Sequence, residues 1–458
     1  MTTLTASPPA ALKRPPTARM HPLLGVMEEF RRDAIGLFDR LGREYGDVVH
    51  IRFGPNPGYV VYHPDAVKHV LQDNNRNYIK QPFGMEILKV FAQENVFTGE
   101  GDFWRGQRRL MQPAFHRQQL AHFGEIMTRC ATEMLDRRWA AAAGSGAPID
   151  VAEEMMRVTL QVVGLALFSV DLSGEASELG HAFDAGDDYI AYRFRSVFAP
   201  PPFFPTRENR AVRAAIRTVR GRILAMIRDR RASGERKHDL LDMLMESKYE
   251  ETGRAMDDEQ IRREAQVMVA AGHETTATAL TWVFYLLSQH PAVEGNLHAE
   301  LGRVLDGRTP AMADLPNLPY TRMVIDEAMR LYPPAAITGR HTLAADELSG
   351  FAIPARRDVF IPIHAIHRDP RWWPEPEAFM PERFAAESDR PRFAYLPFGG
   401  GPRQCIGNIF AQIEAQLILA TVAQRFSLRL APGQRVEPEL KLVLEPKGGL
   451  PMTVTPRQ

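Results

Sequence analysis

One run of residues, 257–291, sets the scale of anything this chain can fold into. Asp257 stands where a helix N-cap would, Gln260 follows at the capping-box spacing, and Pro291 closes the run. At about 1.5 Å per residue such a helix is about 50 Å long, the full depth of a large body. Its apolar residues Val267, Met268, Val269, Leu280, Val283, Phe284 and Leu287 read as core. A helix buried that deeply needs other helices around it, and 458 residues with 45% hydrophobic content can supply them. No Gly/Ser linker or abrupt charge shift divides the chain. Residues 1–20, rich in Pro, Thr and Ala, are expected to be a disordered lead-in, and residues 21–458 a single domain.

The middle of that long run works against helix formation. Ala271-Gly272-His273-Glu274-Thr275-Thr276 sets a glycine, an acid and two β-branched hydroxyls side by side, and the glycine alone costs about 1 kcal/mol relative to alanine. A threonine hydroxyl can bond back to a carbonyl three or four residues earlier, and a glycine lets a helix open. Together they would make a groove for water or a diatomic ligand. Close packing of a neighbouring helix is the other reading of the same patch.

Elsewhere the helical period dominates. In residues 118–143 Leu120, Phe123, Met127, Cys130 and Met134 recur at steps of three and four, so Cys130 reads as a small apolar core residue. Strand character is confined to short pieces, at 48–53, 59–61, 359–362, 440–444 and 452–454, which predicts a small sheet beside a helical body. Prolines and aromatics at 199–206 predict a turn between helices, either a lid over an apolar pocket or a plain connection.

Composition excludes several classes. With 56 basic against 56 acidic residues there is no bias towards nucleic acid. Two cysteines make neither a disulfide framework nor a zinc ribbon, which points to a reducing compartment, the cytoplasm. Residues 1–20 lack the apolar run of a signal peptide, and the most apolar stretches, 160–170 and 277–287, fall short of the ~20 residues a membrane span needs.

The second cysteine ends the loop Phe398-Gly399-Gly400-Gly401-Pro402-Arg403-Gln404-Cys405, just ahead of a helical run. A helix N-terminus offers free N–H groups and partial positive charge, which lower a thiol's pKa, so Cys405 is expected to be anionic and able to bind a metal. The glycines let the backbone approach a flat ligand, and Arg403 adds a fixed cation. Taken alone, the loop also fits a structural cysteine beside a phosphate-type turn. The pattern Phe-x-x-Gly-x-Arg-x-Cys-x-Gly is complete here, and the loop resembles the haem-binding loop of the cytochromes P-450.

Other segments strengthen the resemblance. Residues 271–275 resemble the family's oxygen-activation motif, which implies that Glu274 and Thr275 deliver protons to the reacting oxygen. Glu327 and Arg330, with Arg383 in Pro381-Glu382-Arg383-Phe384, are similar to its Glu-x-x-Arg and later arginine, a structural ion cluster beneath the cofactor. Trp104 and Arg108 resemble its Trp-x-x-x-Arg, and with Arg340, Phe398 and Arg403 they would hold the haem, the cations binding its propionates. Arg105, Arg109 and Arg117 would face an acidic electron-transfer protein or simply solvent. The substrate contacts implied by the resemblance are Phe83, Met85, Ile87, Leu88 and Phe91, Ala271, Ala335, Ala336 and Ile337, and Leu444.

The resemblance implies a mainly α cytochrome P-450 fold with a small β-rich part. Its cofactor would be haem b, with Cys405 as the iron ligand. The activity implied is a monooxygenase inserting one atom of O2 into an apolar, lipid-like substrate. Electrons would come from a separate ferredoxin- or flavodoxin-type donor and its reductase, and the chain is expected to be a monomer. A peroxygenase, an isomerase or dehydratase on the same fold, and a haem sensor or electron carrier are the alternatives.

Overall fold

The computed structural model describes residues 12–115, 117–172, 176–196, 199–249, 253–385 and 389–457. A helix spanning Asp258–Gln289 crosses the helical body, and Val151–Phe168, Arg207–Ser233, Pro319–Leu331 and Asn408–Arg425 pack against it. Asp257 caps this central helix, its Oδ1 accepting from the Gln260 N–H at 2.7 Å. The reciprocal half of the expected capping box is not made. The Gln260 amide donates instead to Glu264 Oε1 at 2.6 Å, the second donor to a fully buried carboxyl whose Oε2 takes the Val96 N–H at 2.9 Å.

Through residues 271–276 the central helix stays α-helical, so the expected opening is not in its backbone. Gly272 serves packing: a Cβ there would lie 2.9 Å from the Val163 side chain of the neighbouring helix. The two helices are pinned at the same point, where the Thr159 hydroxyl donates to the His273 carbonyl at 3.0 Å.

The expected stripe around Cys130 lies on Arg117–Met134, which continues through a wider π turn, Leu135–Trp139, into Ala140–Ser145. Cys130 is buried in the main core, where desolvation pushes its thiol up to about 12.

The β-rich part centres on five strands in the order Val48–Phe53, Asn56–Val61, Asp358–Ile361, Thr338–Thr342, Tyr78–Lys80. Only the pair joining Asn56–Val61 to Asp358–Ile361 is parallel. The register of the last pair sets Lys80 opposite Arg340. Residues 12–20 of the expected lead-in run along this part of the molecule. Pro16 O accepts from the His50 N–H at 2.8 Å, the Ala18 N–H donates back to His50 O at 3.0 Å, and Ala18 is buried. A Pro-rich chain is already extended, so pairing it along a strand costs little order. Residues 1–11 lie outside the described residues.

Near the C-terminus, Phe426–Leu430 and Pro451–Pro456 pair antiparallel beside Ile149–Asp150. The strand expected at 440–444 is the bend of a hairpin, Pro438–Leu440 against Leu444–Pro446. Residues 199–206 connect Ala176–Arg195 to Arg207–Ser233, and Phe203 and Phe204 face solvent, their rings tilted against each other with centroids 5.0 Å apart. Among the described residues no helix is long and apolar enough to cross a membrane.

Candidate active site

Cys405 lies three residues before the helix Asn408–Arg425. The loop leading to it is closed by three backbone bonds: Gly399 N–H to Leu396 O at 2.9 Å, Gln404 N–H to Gly401 O at 3.0 Å, and Cys405 N–H to Phe398 O at 3.0 Å. Phe398 anchors the loop in the main core. Gly401 is required where it stands, with φ +67° and a Cβ position only 1.8 Å from Leu71 O. The Gly407 N–H bonds the sulfur and Arg108 adds positive charge, both favouring thiolate. Desolvation is the larger effect, and it raises the thiol's pKa. Burial thus opposes the anionic cysteine expected from the helix terminus. A metal bound at the sulfur would favour the thiolate.

The support beneath the loop is a connected chain of bonds. Glu327 and Arg330, both fully buried, form a two-pronged pair at 2.7 and 2.8 Å, and Arg383 Nε adds a third bond to Glu327 at 3.0 Å. Arg330 also donates to His367 O, Pro376 O and Ala378 O, at 2.7–2.9 Å. His367 in turn accepts the Leu396 N–H on Nε2 at 2.9 Å. It can accept because burial and the neighbouring Arg330 and Arg368 keep the imidazole neutral. The ion cluster thus fixes the residue that opens the cysteine loop.

Four cations gather beside the loop. Arg403 stacks on Trp104, 3.9 Å above the ring, and donates to Gly99 O at 2.8 Å. Arg340 donates to Gly339 O at 2.8 Å. Arg108 lies near Cys405, and Lys80, absent from the sequence-based set, sits over the Phe97 ring at 3.9 Å. Glu100 is the acid that acts on Lys80 and Arg340, and it is already bonded to Arg403 and the Lys80 N–H. Burial and mutual repulsion lower Lys80 to about 7 and Arg340 and Arg403 to about 10. A group bearing two carboxylates relieves that excess, which is the charge pattern of a haem edge.

The opposite wall is the middle of the central helix. Ala271 is exposed and Ala270, Gly272 and Thr275 are half-buried, although their neighbours along the helix are almost all buried. The helix that follows Cys405 packs against this one, with the Glu414 carboxyl beside the Thr276 hydroxyl. Cys405 and the 270–275 strip are thus accessible parts of two segments whose helices pack together. The residues present fit a flat dianionic macrocycle ligated by Cys405. The Thr275 hydroxyl donates to Ala271 O at 2.8 Å. Glu274 is buried, with its carboxyl against that of Asp187 on the helix Ala176–Arg195.

The substrate residues divide. Ile87 and Leu88, with Met85 beside them, form an apolar roof with Ile190, Phe194 and Leu442. Phe83 is exposed and meets Phe194 edge-on at 6.3 Å, while Phe91 packs into the main core. Ala336 and Leu444 are fully packed, their carbonyls taken by the His364 N–H and by Trp282 Nε1. Ile337 packs with the cluster around Phe38 on the sheet side. Arg105 and Arg109 are exposed on the helix Gly101–Met111, and the side chain of Arg117 lies outside the described ones. Lys80, Glu100, Asp187, Glu414, Ile190, Phe194 and Leu442 were missed, because only tertiary contacts bring them to the site.

Comparison with known proteins agrees with this geometry. Residues 15–452 match the family model described as Cytochrome P450. The chain is 38% identical to cyclooctatin synthase of Streptomyces melanosporofaciens, over 90% of this chain and 89% of that one. It is 37% identical to cyclooctat-9-en-7-ol 5-monooxygenase of the same organism, with the same coverage. Pentalenene oxygenase of Streptomyces avermitilis is 33% identical over 91% of this chain and 92% of its own. The chain belongs to the cytochrome P450 family, the haem-thiolate monooxygenases.

Proposed function

We propose that the protein hydroxylates or otherwise oxygenates a cyclic, terpene-class hydrocarbon or alcohol. It would use haem b held by Cys405, with electrons from a ferredoxin- or flavodoxin-type protein and its reductase. The observation that carries this reading is the exposed Cys405 beside a crowd of cations, on a segment whose helix packs against the accessible 270–275 strip. The names of the relatives, which speak of cyclooctat-9-en-7-ol and pentalenene, favour ring-bearing apolar substrates. So does the roof of Met85, Ile87, Leu88, Ile190, Phe194 and Leu442, which offers no charge to a bound molecule.

When bound, the haem would supply O2 activation, with Cys405 as the electron-rich residue that would hold its iron. The rest is work for the chain's own side chains. Trp104, Arg108, Arg340 and Arg403, joined by Lys80, would hold the propionates, and Phe398 anchors the loop in the main core. Glu327, Arg330 and Arg383 keep that loop in place through His367 and Leu396. Thr275 holds a proton at its hydroxyl on the open side of the helix, and Glu274 stands next to it as the donor behind. Arg105 and Arg109 offer an acidic redox protein a basic face on the thiolate side. Two cysteines that form no bridge with each other suit a monomer working in a reducing cytoplasm.

The test is a panel of cyclic terpenes and linear fatty acids, screened for a substrate-induced spin-state shift and then incubated with a ferredoxin, its reductase and isotopically labelled O2. Labelled oxygen in a cyclic terpene product is expected. Shifts and product from fatty acids alone would overturn the substrate class.

A further inference from the structure

The carboxyl groups of Asp187 and Glu274 hydrogen-bond to each other where the roof helix Ala176–Arg195 crosses the central helix. Two carboxyls make that contact only by sharing a proton. Glu274 is 7% exposed, and after burial itself the carboxyls of Asp187, Glu445 and Asp184 are what raise its pKa. Burial and this crowding raise the pKa of both members, so the pair keeps a proton at neutral pH.

Outward from the pair the charges become exposed and mixed. Lys441, at the bend of the C-terminal hairpin, bridges Glu445 at 2.8 Å and Asp188 at 3.3 Å, and Asp188 is 67% exposed. Asp184 is exposed, within the fields of Lys441 and His181. The hairpin is latched to the roof helix by Arg195, which donates to Leu440 O at 2.7 Å and pairs with Glu439 at 3.6 Å. Burial thus decreases from Glu274 through half-buried Asp187 to groups in water, along three packed elements.

We propose that Asp187 is the relay residue that reprotonates Glu274, so that protons reach the reaction from the surface at Asp184, Asp188 and Lys441 whenever the roof helix is seated. The inference rests on the reading of Glu274 and Thr275 as the proton donors. After Glu274 has passed its proton inward, Asp187 takes one from water on the Lys441 side and hands it across the shared contact. The O–H bond on Asp187 breaks as that on Glu274 forms, with no electrons moved. Electrons come separately from the redox protein. Asp187 touches neither substrate nor cofactor, and acts through Glu274.

The experiment uses the haem-loaded full chain with a surrogate ferredoxin and reductase, and styrene as a small apolar probe. Asp187→Asn keeps the shape of the side chain but neither gives nor takes a proton. We expect it to slow reductant-driven epoxidation roughly tenfold to a hundredfold, to change its pH profile, and to increase its solvent isotope effect. Peroxide-driven epoxidation, in which the oxidant brings its own protons, falls less, and Asp187→Glu restores part of the loss. An unaltered carbonyl-complex spectrum shows that the variants are folded. The infrared spectrum of the ferric wild type needs no turnover. A protonated carboxyl band at neutral pH, lost in Glu274→Gln and shifted in Asp187→Glu, is expected, and its absence from the wild type overturns the shared proton. Wild-type rate and isotope effect in Asp187→Asn, with Glu274→Gln slow, would sink the relay and leave the donors standing. Wild-type behaviour in both variants would sink the donors as well.

Discussion

The back-bond from the Thr275 hydroxyl to Ala271 O fills no packing need, since both residues are accessible. Replacing it should therefore cost little stability and much coupling. In Thr275→Ala we expect substrate binding to persist while reductant is consumed with a several-fold lower yield of product, measured as product per reductant. Unchanged yield removes Thr275 from the mechanism. Lys80 makes a different case. It stands in Tyr78-Ile79-Lys80, a strand too short to announce itself, and only its register opposite Arg340 brings it to the site. Lys80→Met should retain the fold and lose haem faster to an apomyoglobin trap, by roughly tenfold for one charge-assisted bond. Equal loss rates would exclude it from the propionate set. The motif residues were legible because each carries a particular chemistry at a fixed spacing. Lys80, Asp187 and Glu414 were not, since an isolated charge in a sequence looks the same whether it ends in water or in a cleft.

The central helix shows how much of an element a sequence displays. Its N-cap at Asp257 and its stop at Pro291 follow from local chemistry and stand as expected. Whether Gln260 would reach back to close a capping box depended on the buried Glu264, and the misread strand at 440–444 has a similar origin. Leu440, Leu442 and Leu444 alternate as in a strand, but Lys441 N–H to Val443 O closes a tight turn there, and Leu442 points its apolar side chain into the roof. His273 gives this helix a pH signature. Burial lowers its pKa from 6.5 to about 4, so the unfolded chain binds a proton first as pH falls. Its contribution is whole above about 6.5 and is lost progressively towards about 4. The Glu274–Asp187 pair, with raised pKa values, runs the opposite way, so the informative quantity is a difference. The drop in midpoint denaturant concentration between pH 7 and pH 5 should be smaller in His273→Leu than in the wild type, and an equal drop would contradict the assignment.

At the scale of the molecule, a helical body and a small sheet meet along the cysteine loop, and each supplies half of the site. The sheet brings Lys80 and Arg340, and the body brings Glu274, Thr275, Trp104 and Arg108. The exposed Arg105 and Arg109 lie on the same short helix as Trp104, so an acidic protein docking there would stand close to the metal. Arg105→Glu with Arg109→Glu should slow reduction by ferredoxin several-fold at low salt, with the difference fading as ionic strength rises. A salt-independent effect would place docking elsewhere. The mainly helical class was readable from periodicity, whereas the juxtaposition of sheet and body was not, because pairs such as Lys80 with Arg340 and Asp187 with Glu274 are far apart in the chain. All of it depends on Cys405 being the residue whose sulfur would hold the iron. The most direct measurement is the absorption spectrum of the reduced carbonyl complex, in the wild type and in Cys405→Ala. A strongly red-shifted Soret band, present in the first and abolished in the second, is the predicted result. A wild-type band at the position given by an imidazole ligand would contradict it.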